Sequence, residues 1–529
     1  MTVYCHQPCD TEPIEQAESV EACARWRQRH VLAAAIIGSS MALFIDGTVV
    51  NVALPVLQDD LGATVVGLQW IVESYALFLA ALLLVGGLLG DRFGRRRMLA
   101  IGTGIFAVAS LACGLAPDTA TLIAARAVQG IGAALLVPGS LALISANFGE
   151  AERGRAIGTW SGMTALAMAL GPVGDGWLVD QVSWRWVFFI NLPLAVLVLA
   201  ILFRGVPESR DDDHDGRLDW PGASIVTLGL GVLVFGLIES GTNGIAEAHV
   251  VGSLAAGLLL LAAFLWLQAR GTAPMMPLEL FRSPAFSGAN LITLLLYAAL
   301  GGALFFLPFN LMQVQGYSAT AAGAAFLPLI AIMFVLSRWA GGLVDRYGGR
   351  PPLIIGPLIA GVGFALFAVP SVGGSYWATF FPAVVVLGLG MAISVPPLTT
   401  VVLGAVEQRR AGIASGINNA VARVAGLMAI AVMGVVLLAA FNVRFDAQLA
   451  AIDLPAAART TLDADRFRLA GIAIPDGLSI DAQAAVRGAI DEAFVVGFRM
   501  VMLVSAALAV LGAVGAAVML RPAEASPRA

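Results

Sequence analysis

Of the 529 residues, 59% are hydrophobic and only 12% charged, where soluble chains carry roughly a quarter of their residues charged, so a soluble globular protein is excluded. All 30 basic residues are arginine, and without lysine no Walker phosphate loop can be assembled, so the chain is not itself a P-loop ATPase. The formal net charge of −5 is small and forms no block that would attract nucleic acid.

The first 29 residues form a polar tail with Cys5, His6 and Cys9 near its start and Cys23, Arg25, Arg27 and Arg29 toward its end. The cysteines do not amount to a disulfide framework, and no metal or cofactor site is expected from them. From His30 to Leu54 runs an apolar segment too long for a signal-peptide core, read as an uncleaved first span. Further apolar runs lie at 69–90, 98–116, 119–147, 156–179, 185–203, 220–240, 248–268, 286–312, 319–344, 352–370, 376–404, 411–440 and 494–520. Each is long enough to cross a bilayer as a helix, and the expected fold is all-α, with about fourteen transmembrane helices.

Arginine sets the orientation. Alternate loops carry Arg92 and Arg95–Arg97, Arg153 and Arg155, Arg204, Arg210 and Arg217, Arg270 and Arg282, Arg346 and Arg350, and Arg409 and Arg410. The short loops between carry Asp59, Asp60, Asp118 and Asp180 instead. Positive loops stay in the cytoplasm, so both termini are expected there, in a multi-pass protein of the cytoplasmic membrane. The long loop 441–493 then faces outside, with a small, partly helical excursion.

An internal repeat divides the chain. Gly87, Asp91, Arg92 and Gly94 recur 254 residues later as Gly341, Asp345, Arg346 and Gly348, and Gly130, Gly132 and Pro138 recur 258 residues later as Gly388, Gly390 and Pro396. Two nearly equal offsets indicate homologous halves, and eight spans rather than six separate the first copies from the second. The expected organisation is a tail (1–29), a six-helix bundle (30–205), a linker with two extra transmembrane helices (206–285), a second six-helix bundle (286–520) and a short cytoplasmic tail (521–529). Repeated halves are the architecture of secondary transporters.

Ionisable groups at membrane depth cost at least ~2.5 kcal/mol each and are functional candidates. Asp46, Glu73, Arg126 and Asp175 lie about 6–12 Å from the outer helix ends at ~1.5 Å per residue, a candidate proton-coupling cluster. The positions equivalent to Asp46 and Arg126 in the second half are Leu300 and Val384, so coupling is expected in the first half. A static Asp46–Arg126 structural pair is the competing reading. Arg423, beyond Asn418 and Asn419, reads either as a cavity contact or as an interhelical hydrogen-bonding group. Asn51, Trp70, Gln129, Asn290 and Asn310 complete the candidate substrate cavity.

The segment Gly86–Arg97, with its GGLLGDRFGRRR sequence, resembles the signature loop of the major facilitator superfamily. Asp46–Pro55 is similar to the first-span motif of that family's fourteen-span drug:proton antiporters, Arg126–Gly132 to the fourth-span motif, and Gly158…Gly171-Pro172 to the fifth-span antiporter motif. One departure is Asp175, where the pattern carries a packing glycine. The resemblance implies that Gly87, Asp91, Arg92, Gly94 and Arg95, with Asp345, Arg346 and Arg338, latch the two bundles in an outward-facing state. It further implies a non-enzymatic, proton-coupled exporter, working without a cofactor and as a single chain, of hydrophobic compounds, cationic ones among them. A lipid or secondary-metabolite exporter and a proton-coupled importer are the alternatives.

Overall fold

Long apolar runs in lipid must satisfy their own backbone and so become helices, and polar residues at the run edges fix where each begins. Thr64, Asp118, Asp219, Ser283, Ser318 and Ser479 each accept a backbone N–H of the first turn of the helix that follows, which satisfies one of its orphan donors. The computed structural model describes residues 13–42, 46–210, 219–271, 274–407 and 410–520. The side chains of 13–25, 46–49 and a few further helical positions fall outside that description. Asp46 and Arg338 are therefore placed by backbone only, and the Cys5/His6/Cys9 cluster lies outside the described residues.

The first half comprises α1 (Pro13–Ser40), α2 (Asp46–Leu61), α3 (Val65–Phe93), α4 (Arg95–Gly114), α5 (Thr119–Asn147), α6 (Glu150–Gln181), α7 (Trp186–Phe189) and α8 (Asn191–Gly205). Two further helices follow, α9 (Trp220–Asn243) and α10 (Ala248–Arg270). The second half comprises α11 (Pro284–Phe309), α12 (Ala319–Ala324), α13 (Leu327–Gly341), α14 (Leu343–Tyr347), α15 (Arg350–Phe367), α16 (Phe380–Gly404), α17 (Ala411–Leu449), α18 (Ala456–Ala464) and α19 (Ile480–Met519). No strand occurs among the described residues.

Twelve helical segments among the described residues are long and apolar enough to cross a membrane, which makes the chain a multi-pass membrane protein. The other two runs read as spans each include residues outside the description and do not enter that count. The run 30–54 is divided between α1 and α2, and 156–179 lies inside α6. Helix α1 begins at Pro13, within the stretch read as tail. Much of the 441–493 loop is helical, because α17 continues to Leu449 and α19 already begins at Ile480. The excursion proper is the chain between them, α18 and a 3-10 turn, Arg466–Gly471.

The repeat reappears as packing. A Cβ at Gly130 on α5 would stand 2.5 Å from the Tyr75 carbonyl oxygen of α3, and one at Gly388 on α16 would stand 3.1 Å from Leu329 of α13. Gly132 faces α4 at Phe106 (2.8 Å to its nitrogen), and Gly390 faces α15 at Ala360 (2.3 Å to its nitrogen). Equivalent glycines thus let equivalent helix pairs touch backbone to backbone, as small residues do in membrane bundles.

Between the halves, polar and backbone contacts gather at the ends away from the arginine-rich loops. Asp180 at the end of α6 accepts the N–H groups of Ala319 (3.0 Å) and Thr320 (2.8 Å) and the Thr320 hydroxyl. Burial would raise the Asp180 carboxyl, but the donors on Thr320, Ala319 and Ser318 outweigh it and hold the group below its usual range. A group so lowered loses its contribution only as pH falls through its folded-state value, so this clasp stays ionised through the mildly acidic range. A Cβ at Gly323 would lie 2.0 Å from the Pro172 carbonyl oxygen, and one at Gly176 would lie 2.4 Å from that of Ala319. The close approach of α6 is therefore made at Gly176, next to the departing Asp175. On a neighbouring seam the Gln69 amide of α3 donates to the Ile430 carbonyl of α17 (2.9 Å).

The Arg466–Gly471 turn closes over this side. Gln58 of α2 donates to the Arg468 carbonyl (2.9 Å) and accepts from Gln313 (2.9 Å). Leu469, with φ 55°, is the one non-glycine residue with positive φ among those described, and it is buried. Helix α9 lies along the α3–α17 seam, where Leu230, Val234 and Ile238 cluster with Leu77, Leu427 and Ala431.

These contacts predict that Gly323→Ala drives α12 from α6 and lowers stability in detergent by about 1–3 kcal/mol. The control Gly174→Ala, whose added Cβ meets nothing, should stay within about 0.5 kcal/mol. Thermal melts of the two purified variants check the contrast.

Candidate functional site

The buried charge of the first half is built on α5. Arg126 is 1% exposed; its Nε donates to the Ile71 carbonyl of α3 (3.1 Å) and one terminal nitrogen to Gln129 Oε1 (2.8 Å). The guanidinium lies over the Tyr75 ring (4.2 Å) and within 6.0 Å of that of Phe188. Gln129, one turn on, passes the chain outward by donating to the Ser110 hydroxyl of α4 (2.9 Å), and Cys113 lies 3.6 Å from its Oε1. The Tyr75 hydroxyl donates to the Ala42 carbonyl of the first span. Arg126 thus ties α3, α4 and α5 together, and the cation–π contact supplies stabilisation that a lysine or neutral amide would not match.

Glu73 sits on α3 one turn beyond Gln69, hence on the same face, the one turned to α17. Its side chain is fully buried, and neither carboxyl oxygen has a hydrogen-bond partner among the described residues. Asp175 is buried on α6 within one turn of Pro172 and makes further interactions of its own. Asp46 begins α2, but its side chain lies outside the described residues.

The expected cavity residues separate into three groups. Asn418 of α17 donates to Asn290 Oδ1 (3.2 Å) and Thr293 Oγ1 (2.7 Å) of α11, and Asn419 is exposed beside it. Arg423 is half-buried one turn further along α17. Asn51 is half-buried with its Oδ1 unpartnered. Three others sit elsewhere. Trp70 faces α9, its ring 6.4 Å from that of Phe235; Gln129 belongs to the buried Arg126 chain; Asn310 is buried where α11 widens into a π-helical turn, Asn310–Val314, and accepts from Gln315 (3.3 Å).

The signature-loop residues lie on the opposite side from the clasp. Asp91 pairs with Arg95 of its own loop (2.7 Å), the Arg96 and Arg97 amides donate to Glu208 (3.0 and 3.1 Å), and Gly94 at φ 105° makes the turn between α3 and α4. Gly87 meets Pro138 of α5 at ordinary contact distance. Arg92, Asp345 and Arg346 are exposed, and the Arg338 side chain lies outside the described residues. On α6, Gly158 is exposed with open space around it, Gly171 is half-buried, and Pro172 approaches Gly323 of α12.

Tyr75, Ser110, Gln69, Thr293 and Tyr297 were not anticipated. Two carried a usable signal: Gln69 stands one turn before Glu73 on α3, and Tyr75 two residues beyond it. The others are single polar residues in apolar runs with nothing in the sequence to pair them.

The Major Facilitator Superfamily profile matches residues 36–430. Among curated relatives, the chain is 37% identical to "Multidrug resistance protein Stp" of Mycobacterium tuberculosis (strain CDC 1551 / Oshkosh) over 398 residues, 75% of this chain and 74% of that one. It is 32% identical to the "Tetracenomycin C resistance and export protein" of Streptomyces glaucescens over 524 residues, 98% and 96% of the two chains. With the "Puromycin resistance protein pur8" of Streptomyces alboniger it shares 36% identity over 406 residues, 76% and 80%. Among solved structures, a bacterial homologue of the human lysosomal transporter Spinster, inward-facing and occupied, superposes with TM-score 0.65 at 18% identity, covering 93% of this chain and 97% of the other. The inward-open xylose transporter XylE of E. coli gives 0.53 at 16% identity, covering 96% and 97%. Family profile, near-full-length relatives and shared helix architecture agree: the chain belongs to the major facilitator superfamily.

Proposed function

We propose that this chain is a proton-coupled antiporter that exports hydrophobic compounds across the cytoplasmic membrane, with its arginine-rich loops and both termini in the cytoplasm. Drug-resistance and export names among the relatives support export. The observation that carries proton coupling is Glu73, fully buried with both oxygens unpartnered on the α3 face turned to α17. Among apolar helices such a carboxyl is accommodated as the neutral acid at far lower cost than as an anion. The clasped side, with Asp180 on α12 and Gln69 on α17, is then the outer side, and the conformation is inward-facing. When the halves part on this side, the α3–α17 seam opens, water reaches Glu73, and its proton exchanges with the outside.

Arg126, Asp46 and Asp175 form the rest of the proposed coupling group. Arg126 meets α3 at the Ile71 carbonyl and the Tyr75 ring, two residues either side of Glu73, and its field favours an ionised acid whenever water admits one. Substrate and proton then compete because each biases the same equilibrium between inward- and outward-facing states. The two six-helix bundles, 30–205 and 286–520, are the proposed rocking bodies, with 206–285 as a covering linker. Asp91, Arg92 and Arg95, with Asp345 and Arg346, are proposed to engage across the bundles only in the outward-facing state, which fits Asp91 pairing inside its own loop here.

Two outcomes follow. Glu73→Gln, a mimic of the neutral acid, should lower pH-driven dye export, read as dye uptake into everted vesicles, by about tenfold or more while energy-independent dye exchange persists. Undiminished pH-driven efflux would remove Glu73 from the coupling group. Asp91→Asn should change stability by no more than about 0.5 kcal/mol, since its ion pair is part-exposed, yet slow dye exchange several-fold; an unchanged exchange rate would refute the latch.

A further inference from the structure

Arg423 is the thirteenth residue of α17, about 18 Å along the helix from its arginine-rich end, and so at membrane depth. Its side chain is half-buried, and no hydrogen bond or ion pair joins it to any described residue. An arginine at a helix centre is costly to bury. Such residues are ordinarily paired, and this one has no carboxylate of its own.

Its surroundings are arranged rather than incidental. One turn above, a Cβ at Gly301 would lie 2.8 Å from Gly426 Cα, so α11 and α17 are held in close contact. Toward the arginine-rich end, Asn418 is fixed by Asn290 (3.2 Å) and Thr293 (2.7 Å). Between these two anchors Tyr297 lies one turn beyond Thr293 and one before Gly301, on the α11 face turned to α17, as Arg423 lies between Asn418 and Gly426 on α17. On α17 itself, Asn419 one turn before Arg423 is exposed, and Ile430 two turns after it is held by Gln69 of α3. The helix face bearing Arg423 therefore runs from an open end to the seam between the halves.

We propose that Arg423, with Tyr297 beside it and the Asn418–Asn290–Thr293 group behind it, is the subsite for the acidic group of the exported compound, a carboxylate or phenolate on an otherwise apolar molecule. This deepens the export reading and rests on it. With the cavity open, water solvates the guanidinium. As the halves close, that water is lost and a counter-charge is required, which an anionic substrate brings and a cationic one does not. The planar guanidinium presents two parallel donors that suit a carboxylate. The cationic substrates implied by family resemblance fit this half of the cavity poorly. A lipid phosphate would offer the same chemistry, so the test must separate the two.

Binding of two xanthene dyes of opposite charge, fluorescein and rhodamine 123, is measured by fluorescence polarisation on the full-length purified chain in phosphatidylcholine nanodiscs. Wild type should bind fluorescein; Arg423→Gln should weaken it by about tenfold or more, and Arg423→Lys, which keeps the charge but not the two parallel donors, should recover only part of that loss. Rhodamine 123 binding should change by less than about twofold between wild type and both variants. Equal losses for both dyes, an unchanged fluorescein affinity in Arg423→Gln, or wild type binding only rhodamine 123 would each overturn the assignment. A variant that keeps fluorescein but no longer retains phosphatidylglycerol would assign the site to lipid and overturn it equally. Because the readout is equilibrium binding, it is independent of whether pH-driven export survives in the Glu73 variant.

Discussion

A charged side chain among apolar helices must be given water, a partner or a proton, and the polar architecture of this chain follows from how each charge meets that demand. Arg126 is given partners: the Ile71 carbonyl, Gln129 and the face of Tyr75. Asp180 is given three donors from the start of α12. Glu73 has no hydrogen-bond partner among the described residues, the observation on which its proposed protonation rests. Arg423 is given neither a carboxylate nor a fully wet surface, which leaves a ligand. The two unsatisfied groups lie on α3 and α17, the pair of helices that face each other across the seam.

That seam is also where the fold is asymmetric. The α6–α12 contact is made backbone to backbone through Gly176 and Gly323, a short and stiff junction. The α3–α17 contact includes apolar side chains and is covered by α9, whose Leu230, Val234 and Ile238 pack on Leu77, Leu427 and Ala431. Helix α9 therefore lies along the two helices that carry Glu73 and Arg423. The strained turn at Leu469 and the Gln58 hydrogen bonds close its end away from the arginine-rich loops.

Much of this was legible in the sequence, because the features concerned are periodic or repeated. Apolar run length places the helices, and the recurring glycines Gly130/Gly388 and Gly132/Gly390 mark the same helix contacts in both halves. The buried charges stood out because apolar runs rarely contain them. What was not legible depends on helix rotation, which hydropathy does not encode in a helix apolar on all sides. Trp70 and Asn310 were read as cavity residues on polarity and depth alone; the first turns to α9 and the second closes a π-helical turn. Gln129 was placed in the cavity although its spacing from Arg126 already offered a hydrogen bond along one helix face. Asp175 broke a glycine pattern, but the neighbouring Gly176 supplies the close approach instead.

The central claim is that substrate and proton exchange at one buried carboxyl. It is tested most directly by adding a dye that the chain exports to purified protein in weakly buffered solution and recording proton release. Wild type is predicted to release protons as the dye binds, and Glu73→Gln to bind the dye with no release. Equal release from both proteins, or none from wild type, would contradict the account.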